Sequence, residues 1–442
     1  MAVHDLKVMN GRLVLSESIE EGDILVNNGL ITAIIKPGKS AQEEADEVIN
    51  ASGSLVLPGL VDPHVHFRDP GFPEKEDFGT GSLAAAAGGI TTIIDMPNTQ
   101  PPTTTPERLF EKIHRAEKKC IVDYAFHGGP YLVEEASIVE ETNWESQELA
   151  LVDMANQLID AGIISFKIYM PHQEGPAIPY LAPLGNPLTI HAEDPMKLSE
   201  PTDGSSYAFL ASRPPEAEVE CIEILLAEPP PCSLHICHIS TAAGFRHILE
   251  AQQKGIPVTT EVTPHHLLLT VKDLAKIGPI AKCYPPLRST KDTEALLNAC
   301  FAEQITIIAS DHAPHTAAEK TGSDADFATA PGGIIGVETT LPLLYTKLVH
   351  KAEMPLPMLI QMMGYNPAKR FGIRNAQWIE KGQLVVGADA DIVLFDPKII
   401  STIRSDTLHN KSTLTPFEGW KVNGLVQRTL LGGTTIFNRE EE

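Results

Sequence analysis

VDPHVHF, residues 61–67, is an apolar stretch that carries two histidines at alternate positions. Successive side chains of an extended chain point to opposite faces, so His64 and His66 leave the strand on the same side, two steps of roughly 3.3 Å apart. Both imidazoles can reach one cation. Alternate histidines also occur on ordinary half-polar strands, where they are merely hydrogen-bonded, so the rest of the chain decides. Four more apolar runs carry ligand-type residues near their ends: SFKIYM holds Lys167, PLTIHAED His191, LHICHIS His238 and TIIASDHAPH Asp311. Together these residues read as a two-metal hydrolase site.

The spacing of the runs says where their ends go. Apolar runs begin near Val61, Thr91, Ile121, Ile163, Leu188, Ser233, Ile256 and Ile305, and helical stretches fit into the intervals at 83–88, 106–119, 148–161, 216–227, 244–254 and 291–302. Strands alternating with helices predict an α/β chain folded as a parallel (β/α)8 TIM-like barrel, in which function collects at the carboxyl ends of the strands. The candidate ligands fall on strands one, four, five, six and eight. An open doubly wound sheet would not bring those strands around one point, and no glycine-rich phosphate fingerprint follows the first strand.

Strand parity sorts the neighbouring residues. Cys237 is expected to face away from His238, and His235 and His312 have the opposite parity from His238 and Asp311. His265 and His266 read as structural, and His172 and the remaining histidines belong to no constellation. Between Lys167 and His191 the prolines at 171, 176, 179, 183 and 187 exclude a normal crossover helix, so the helix after strand four is expected to be missing or reduced to a turn. The barrel face left bare there would need cover, and a second subunit could supply it.

The chain ends read differently. Short alternating runs and turn signals in residues 1–57 and again beyond residue 380 predict two β-rich pieces that join into one small domain. The expected organisation is a β-sandwich domain formed by residues 1–57 and 373–442, with a hydrolase barrel of residues 58–372 inserted between them. Acidic residues outnumber basic ones 58 to 34, a net charge of −24, which argues against a nucleic-acid partner. No apolar stretch approaches the roughly 20 residues needed to span a bilayer, and no charged-then-apolar leader precedes residue 10, so a cytoplasmic enzyme with a small-molecule substrate is expected. The six cysteines form no CxxC pair, consistent with reduced thiols.

The strings DPHVHFRDPGF, GGITTIIDMPNT, SFKIYM, HAED, CHIST, PPLR, SDHAPHTAAEK and GGIIGVETTLPLL resemble the dihydroorotases of the amidohydrolase superfamily, the cyclic-amide hydrolase branch, and most closely the single-function microbial type. The resemblance spans nearly the whole chain. It implies two zinc ions per subunit: His64, His66 and Asp311 hold the first, His191 and His238 the second, and Lys167 bridges them. An unmodified ammonium would repel a cation pair, so the family's solution, an N6-carboxylated Lys167 made with CO₂, fits this position. A Schiff-base lysine is the functional rival and a salt-bridged lysine the structural one. The resemblance further implies reversible hydrolysis of (S)-dihydroorotate to N-carbamoyl-L-aspartate in pyrimidine biosynthesis, by metal-activated hydroxide with Asp311 as acid–base. Arg68, Asn98 and His315 would grip the substrate carboxylate. Pro331 and Gly332, in the glycine-rich APGGIIGVET, would set backbone against the ring. AKCYPPLR places Tyr284 where many dihydroorotases have asparagine, which weakens the substrate assignment and leaves an allantoinase or hydantoinase as the alternative. A homo-oligomer, dimer or tetramer, is expected. The family also contains non-catalytic assembly partners of aspartate carbamoyltransferase, but those generally lose ligands, and none of the six is missing here.

Overall fold

The structure is a computed structural model that describes residues 3–36, 39–130 and 144–441. The chain begins with β1 (His4–Val14), β2 (Ile19–Asn27), β3 (Leu30–Ile35), β4 (Ala45–Asn50) and β5 (Leu55–Pro58). It continues through β6 (Leu60–Val65), β7 (Ile90–Asp95), β8 (Asp123–Gly128), β9 (Ser165–Tyr169), β10 (Leu188–His191), β11 (Leu234–Ile236), β12 (Val258–Val262) and β13 (Ile307–Ile308). It ends with β14 (Ile392–Thr402), β15 (Lys421–Leu431) and β16 (Thr434–Asn438).

β6 to β13 pair in chain order, all parallel. The ring closes just past β13, where His312 bridges Val65 and the His66 amide donates to the His312 carbonyl at 2.8 Å. This is the expected eight-stranded barrel. The strands read as unbroken apolar runs because both faces are covered: every residue of β7, ITTIID, is buried. Outside lie the helices Phe78–Ala87, Pro106–Lys119, Trp144–Asp160, Pro215–Ala227, Ala242–Gln253 and Thr290–Phe301. Their starts follow local chemistry. Asp77 accepts from the Gly79 and Thr80 amides, and Thr105 caps a helix whose first residue is Pro106.

After β9 the expected departure is present. The chain makes three-residue turns and a single four-residue helix, Ile178–Leu181, before entering β10. The prolines there remove amide donors that a longer helix would use.

The two chain ends build one further sheet, in the order β16-β15-β14-β5-β1-β2-β3, with β4 also on β1. Its hydrogen bonding is continuous, β1 passing from β4 to β5 across a bulge where Asn10 has φ 59°. Leu6, Val8, Ile24, Ile31, Val56, Ile392 and Leu430 share its core. The β2–β3 hairpin turns on Asn28-Gly29, both at positive φ, the pair such a tight turn requires. Lys381 ties this sheet to the barrel, lying 2.5 Å from Asp123, 3.1 Å from Asp389 and 2.7 Å from Asp391.

Candidate active site

Six side chains expected from the sequence converge at the carboxyl mouth of the barrel. His64 and His66 lie at the end of β6, Lys167 within β9 and His191 at the end of β10. His238 and Asp311 follow β11 and β13. All six are buried. Asp311 Oδ1 lies 3.3 Å from His64 Nε2 and 3.2 Å from His66 Nε2, and the His191 and His238 rings are 4.6 Å apart. Arg68, His238 and Asp311 all have left-handed backbone (φ 61°, 32° and 47°), a conformation that non-glycine residues hold only where their surroundings over-determine it.

Strand parity fails at one point. Cys237 faces the site, with its Sγ 2.8 Å from Lys167 Nζ and clustered with His64 and His238. The alternation argument assumes extended chain, but β11 stops at Ile236 and the backbone turns left-handed at His238. His312 keeps the expected opposite face and accepts from the Gly336 amide. His235, on the same strand face as Cys237, turns inward beneath the site, 3.0 Å from the Glu261 carboxylate that also holds His64.

The histidines are oriented by acceptors behind them. His64 Nδ1 is 2.5 Å from Glu261 Oε1, His66 Nδ1 is 2.7 Å from Asn98 Oδ1, and His191 Nε2 is 2.7 Å from Glu193 Oε2. Each contact holds one ring nitrogen and leaves the other for the site, the arrangement usual behind metal-bound imidazoles. Burial pushes all four site histidines below the ordinary imidazole value, reinforced at His66 by Arg68 and at His238 by His191. Burial thus favours their neutral form, which carries a free lone pair. Burial alone would raise the Glu261 carboxyl, but His64 and His235 hold it well below the carboxylate range. Burial raises Asp311, with His64 and Lys167 opposing. Among the described residues, His238 Nδ1 is buried with no hydrogen-bond partner and Lys167 makes no ion pair. Neutral imidazoles, a carboxylate and an orphaned buried nitrogen suit a divalent cation such as zinc.

Above this cluster opens a cavity of about 410 Å³. Arg68, Asn98, Tyr284, His315, Pro331 and Gly332 line it, as the resemblance implied. Arg68 Nη2 lies 3.2 Å from His315 Nε2, and Arg68 Nε donates to the Pro314 carbonyl at 3.2 Å. Burial, Arg68 and Lys75 together push His315 down to about 2. Gly332 backs onto the Tyr284 ring so closely that a Cβ there would lie 2.6 Å from it. Three features were not anticipated. Arg213 stacks on Tyr284 at 4.0 Å and pairs with Glu193, His172 joins the wall beside Tyr169, and Glu261 and Glu193 support the histidines. Glu193 could have been found two residues after His191 in HAED. Arg213 and Glu261 carry no local signal that separates them from surface charges.

Ligand-type side chains gathered at the carboxyl mouth of a closed parallel barrel define the class of metal-dependent hydrolase barrels. The model described as Amidohydrolase family matches residues 55–172 and 232–436. This chain belongs to the amidohydrolase family. It is 37% identical over 439 residues to a dihydroorotase of Methanosarcina acetivorans, spanning 94% of this chain and 88% of that protein. It is 35% identical over 459 residues to an allantoinase of Rubrobacter xylanophilus, spanning 99% and 95%. Among solved structures, L-hydantoinase (dihydropyrimidinase) from Arthrobacter aurescens matches with a TM-score of 0.89 at 32% identity, covering 99% of this chain and 97% of that one. No helix among the described residues is long and apolar enough to cross a membrane.

Proposed function

We propose that the protein is a dihydroorotase, interconverting (S)-dihydroorotate and N-carbamoyl-L-aspartate. The observation that carries this reading is the Arg68–His315 pair, 3.2 Å apart in the cavity wall beside Asn98 and above the ligand cluster. A guanidinium held there suits the ring carboxylate, and its forked donors fix orientation. His64, His66 and Asp311 would hold one zinc ion and His191 and His238 a second, with Lys167, carboxylated on Nζ, between them. When bound, such a pair polarises the ring amide carbonyl and makes water nucleophilic near neutral pH. Asp311 accepts the proton lost by the attacking water and returns it to the departing ring nitrogen, acting as base and then acid. Glu261, Glu193 and Asn98 keep the imidazoles in register meanwhile. Tyr284, Arg213 and Gly332 confine the ring.

Carboxylation of Lys167 is favoured by its burial among candidate ligands with, among the described residues, no carboxylate within ion-pair distance. We also propose a cytoplasmic homo-oligomer, dimer or tetramer, with the helix-poor face after β9 against a neighbour, and a division of the chain at residues 58 and 372. Association with aspartate carbamoyltransferase would be an addition to catalysis and not a substitute for it.

Tyr284 in place of the expected asparagine supports one alternative, a hydantoinase or allantoinase, which would use the same ligand cluster. The deciding experiment supplies the purified protein with zinc and bicarbonate and measures ring opening of dihydroorotate, allantoin and hydantoin, alongside Arg68→Gln and Lys167→Ala. Turnover of dihydroorotate that Arg68→Gln weakens through KM, and Lys167→Ala abolishes, is expected. Turnover of allantoin or hydantoin alone, indifferent to Arg68→Gln, would move the protein to the alternative.

A further inference from the structure

Two buried lysines stand outside the catalytic reading, one in AKCYPPLR and one in SDHAPHTAAEK. Lys320 is 4% exposed and Lys282 2%. Among the described residues neither has a carboxylate within ion-pair distance; their hydrogen-bond partners are backbone carbonyls, and Lys282 Nζ also lies over the Phe209 and Tyr284 rings at 5.1 and 5.6 Å. Lys320 Nζ donates to Pro279 at 3.0 Å, Lys282 at 3.2 Å and Pro331 at 3.0 Å. Lys282 Nζ donates to Phe327 at 2.7 Å and Ala330 at 2.5 Å. The Gly333 amide completes the junction by donating to the Lys282 carbonyl at 2.8 Å.

Three segments meet at these two ammonium groups. The first runs through Pro279–Ala281 to Tyr284, the second from Phe327 to Gly333, and the third is the short helix Ala317–Thr321, which follows His315 and carries Lys320. The first two present residues to the cavity, Tyr284 and then Pro331 and Gly332, and His315, which also lines it, leads directly into the third. None presents a candidate metal ligand. Taking two ammonium groups out of water next to each other is unfavourable, and burial with Lys282 nearby pushes Lys320 down to about 7. Plain loop closure would be served more cheaply by apolar packing. Fixing carbonyl positions is what the N–H donors of a lysine head do and a methylene cannot.

We infer that Lys320 and Lys282 are positioning residues for substrate recognition, fastening the backbone of the 279–284 segment to that of the 327–333 loop and so setting the cavity wall formed by Tyr284, His315, Pro331 and Gly332. This inference rests on that cavity being the substrate pocket. It deepens the assignment by separating the machinery that grips the ring from the machinery that opens it. Loss of the clamp should weaken ring binding while leaving the chemistry intact.

The test compares full-length, zinc-loaded wild type with Lys320→Gln, which keeps two N–H donors, and Lys320→Met, which keeps none. KM and kcat are measured on the cyclic amide that the wild type opens, zinc content is determined, and amide hydrogen exchange is followed over residues 327–333. A graded rise in KM is expected, roughly tenfold for Lys320→Met as the wall loses charged hydrogen bonds, and smaller for Lys320→Gln. kcat and zinc content should stay within about twofold of wild type, with exchange at Gly333 accelerated. An unchanged KM, or a fall in kcat and zinc content at constant KM, would overturn the inference. If Lys320→Met does not fold, Lys320→Gln and Lys282→Gln answer the same question through the same split between KM and kcat. A wild type inert on dihydroorotate but active on another ring would count against the substrate assignment alone, since the clamp is then judged on that other ring.

Discussion

Glu261 offers the sharpest test of the site. It lies on β12, is 1% exposed, and bridges two imidazoles, with Oε1 2.5 Å from His64 Nδ1 and Oε2 3.0 Å from His235 Nε2. Glu261→Gln keeps the volume and one acceptor but removes the charge. The amide oxygen can remain with His64, because His235 can change tautomer: its Nδ1 faces the Thr259 hydroxyl at 2.8 Å, which donates or accepts. The net loss is then one charge-assisted hydrogen bond reduced to a neutral one, about 1.5 kcal/mol. Groups that orient metal-bound histidines from behind typically contribute about 10- to 100-fold in affinity, which brackets that figure. Zinc affinity should therefore fall about tenfold or somewhat more, measured by competition with a chromogenic chelator, with two zinc ions per chain still bound at saturation. Glu261→Leu leaves both imidazole nitrogens unpaired and should additionally cost about 1–3 kcal/mol of stability per orphaned group, read by urea unfolding of the zinc-free protein. A Glu261→Gln protein that binds zinc within twofold of wild type would refute the claim that Glu261 sets the orientation of His64.

Two further predictions concern stability. Lys381 is 9% exposed on its side chain and faces Asp123, Asp389 and Asp391; burial opposes its charge, but Asp391 and Asp123 raise its pKa. Lys381→Met removes the cation from Asp391, the buried member of the three, leaving it the Gly432 amide and the Thr91 hydroxyl, and should cost about 3 kcal/mol; a loss below about 1 kcal/mol in urea unfolding would mean that Asp391 finds water. Lys320 supplies a pH dependence with a definite sign. Its folded value of about 7 lies below that of a free lysine, so between those values the unfolded chain binds more protons. Stability from this group rises with pH above 7 and is lost as pH falls towards 7. Cys283 and Glu319 favour its charged form, whereas Lys282 and Arg68 oppose it. The stability of wild type relative to Lys320→Met should accordingly grow between pH 7 and pH 9, and a flat or falling difference would contradict the assigned burial.

The barrel was legible in the chain because its strands are covered on both faces, which leaves unbroken apolar runs at regular intervals. Each run was found within a few residues of β6 to β13. The six candidate ligands were legible too, since each sits at or near the end of a run and the barrel gathers those ends. Proline density foretold the missing helix after β9. Local chemistry reached no further than this. Cys237 was assigned to the wrong face because alternation lapses where β11 ends, and the left-handed turn at His238 is enforced by surroundings distant in sequence. His172 joins the cavity only because the short connection folds back beside Tyr169. Glu261 lies 197 residues from the histidine it orients, and Arg213 stacks on a tyrosine contributed by a separate segment. Lys282 and Lys320 look like surface lysines in a linear reading, and their carbonyl cages exist only once three segments have met. The sequence alone determined which elements form and which side chains end them, because periodicity and turn chemistry act over a few residues. Tertiary structure alone decided which charges are buried and what they hold, because desolvation and pairing depend on segments that only the closed barrel brings together.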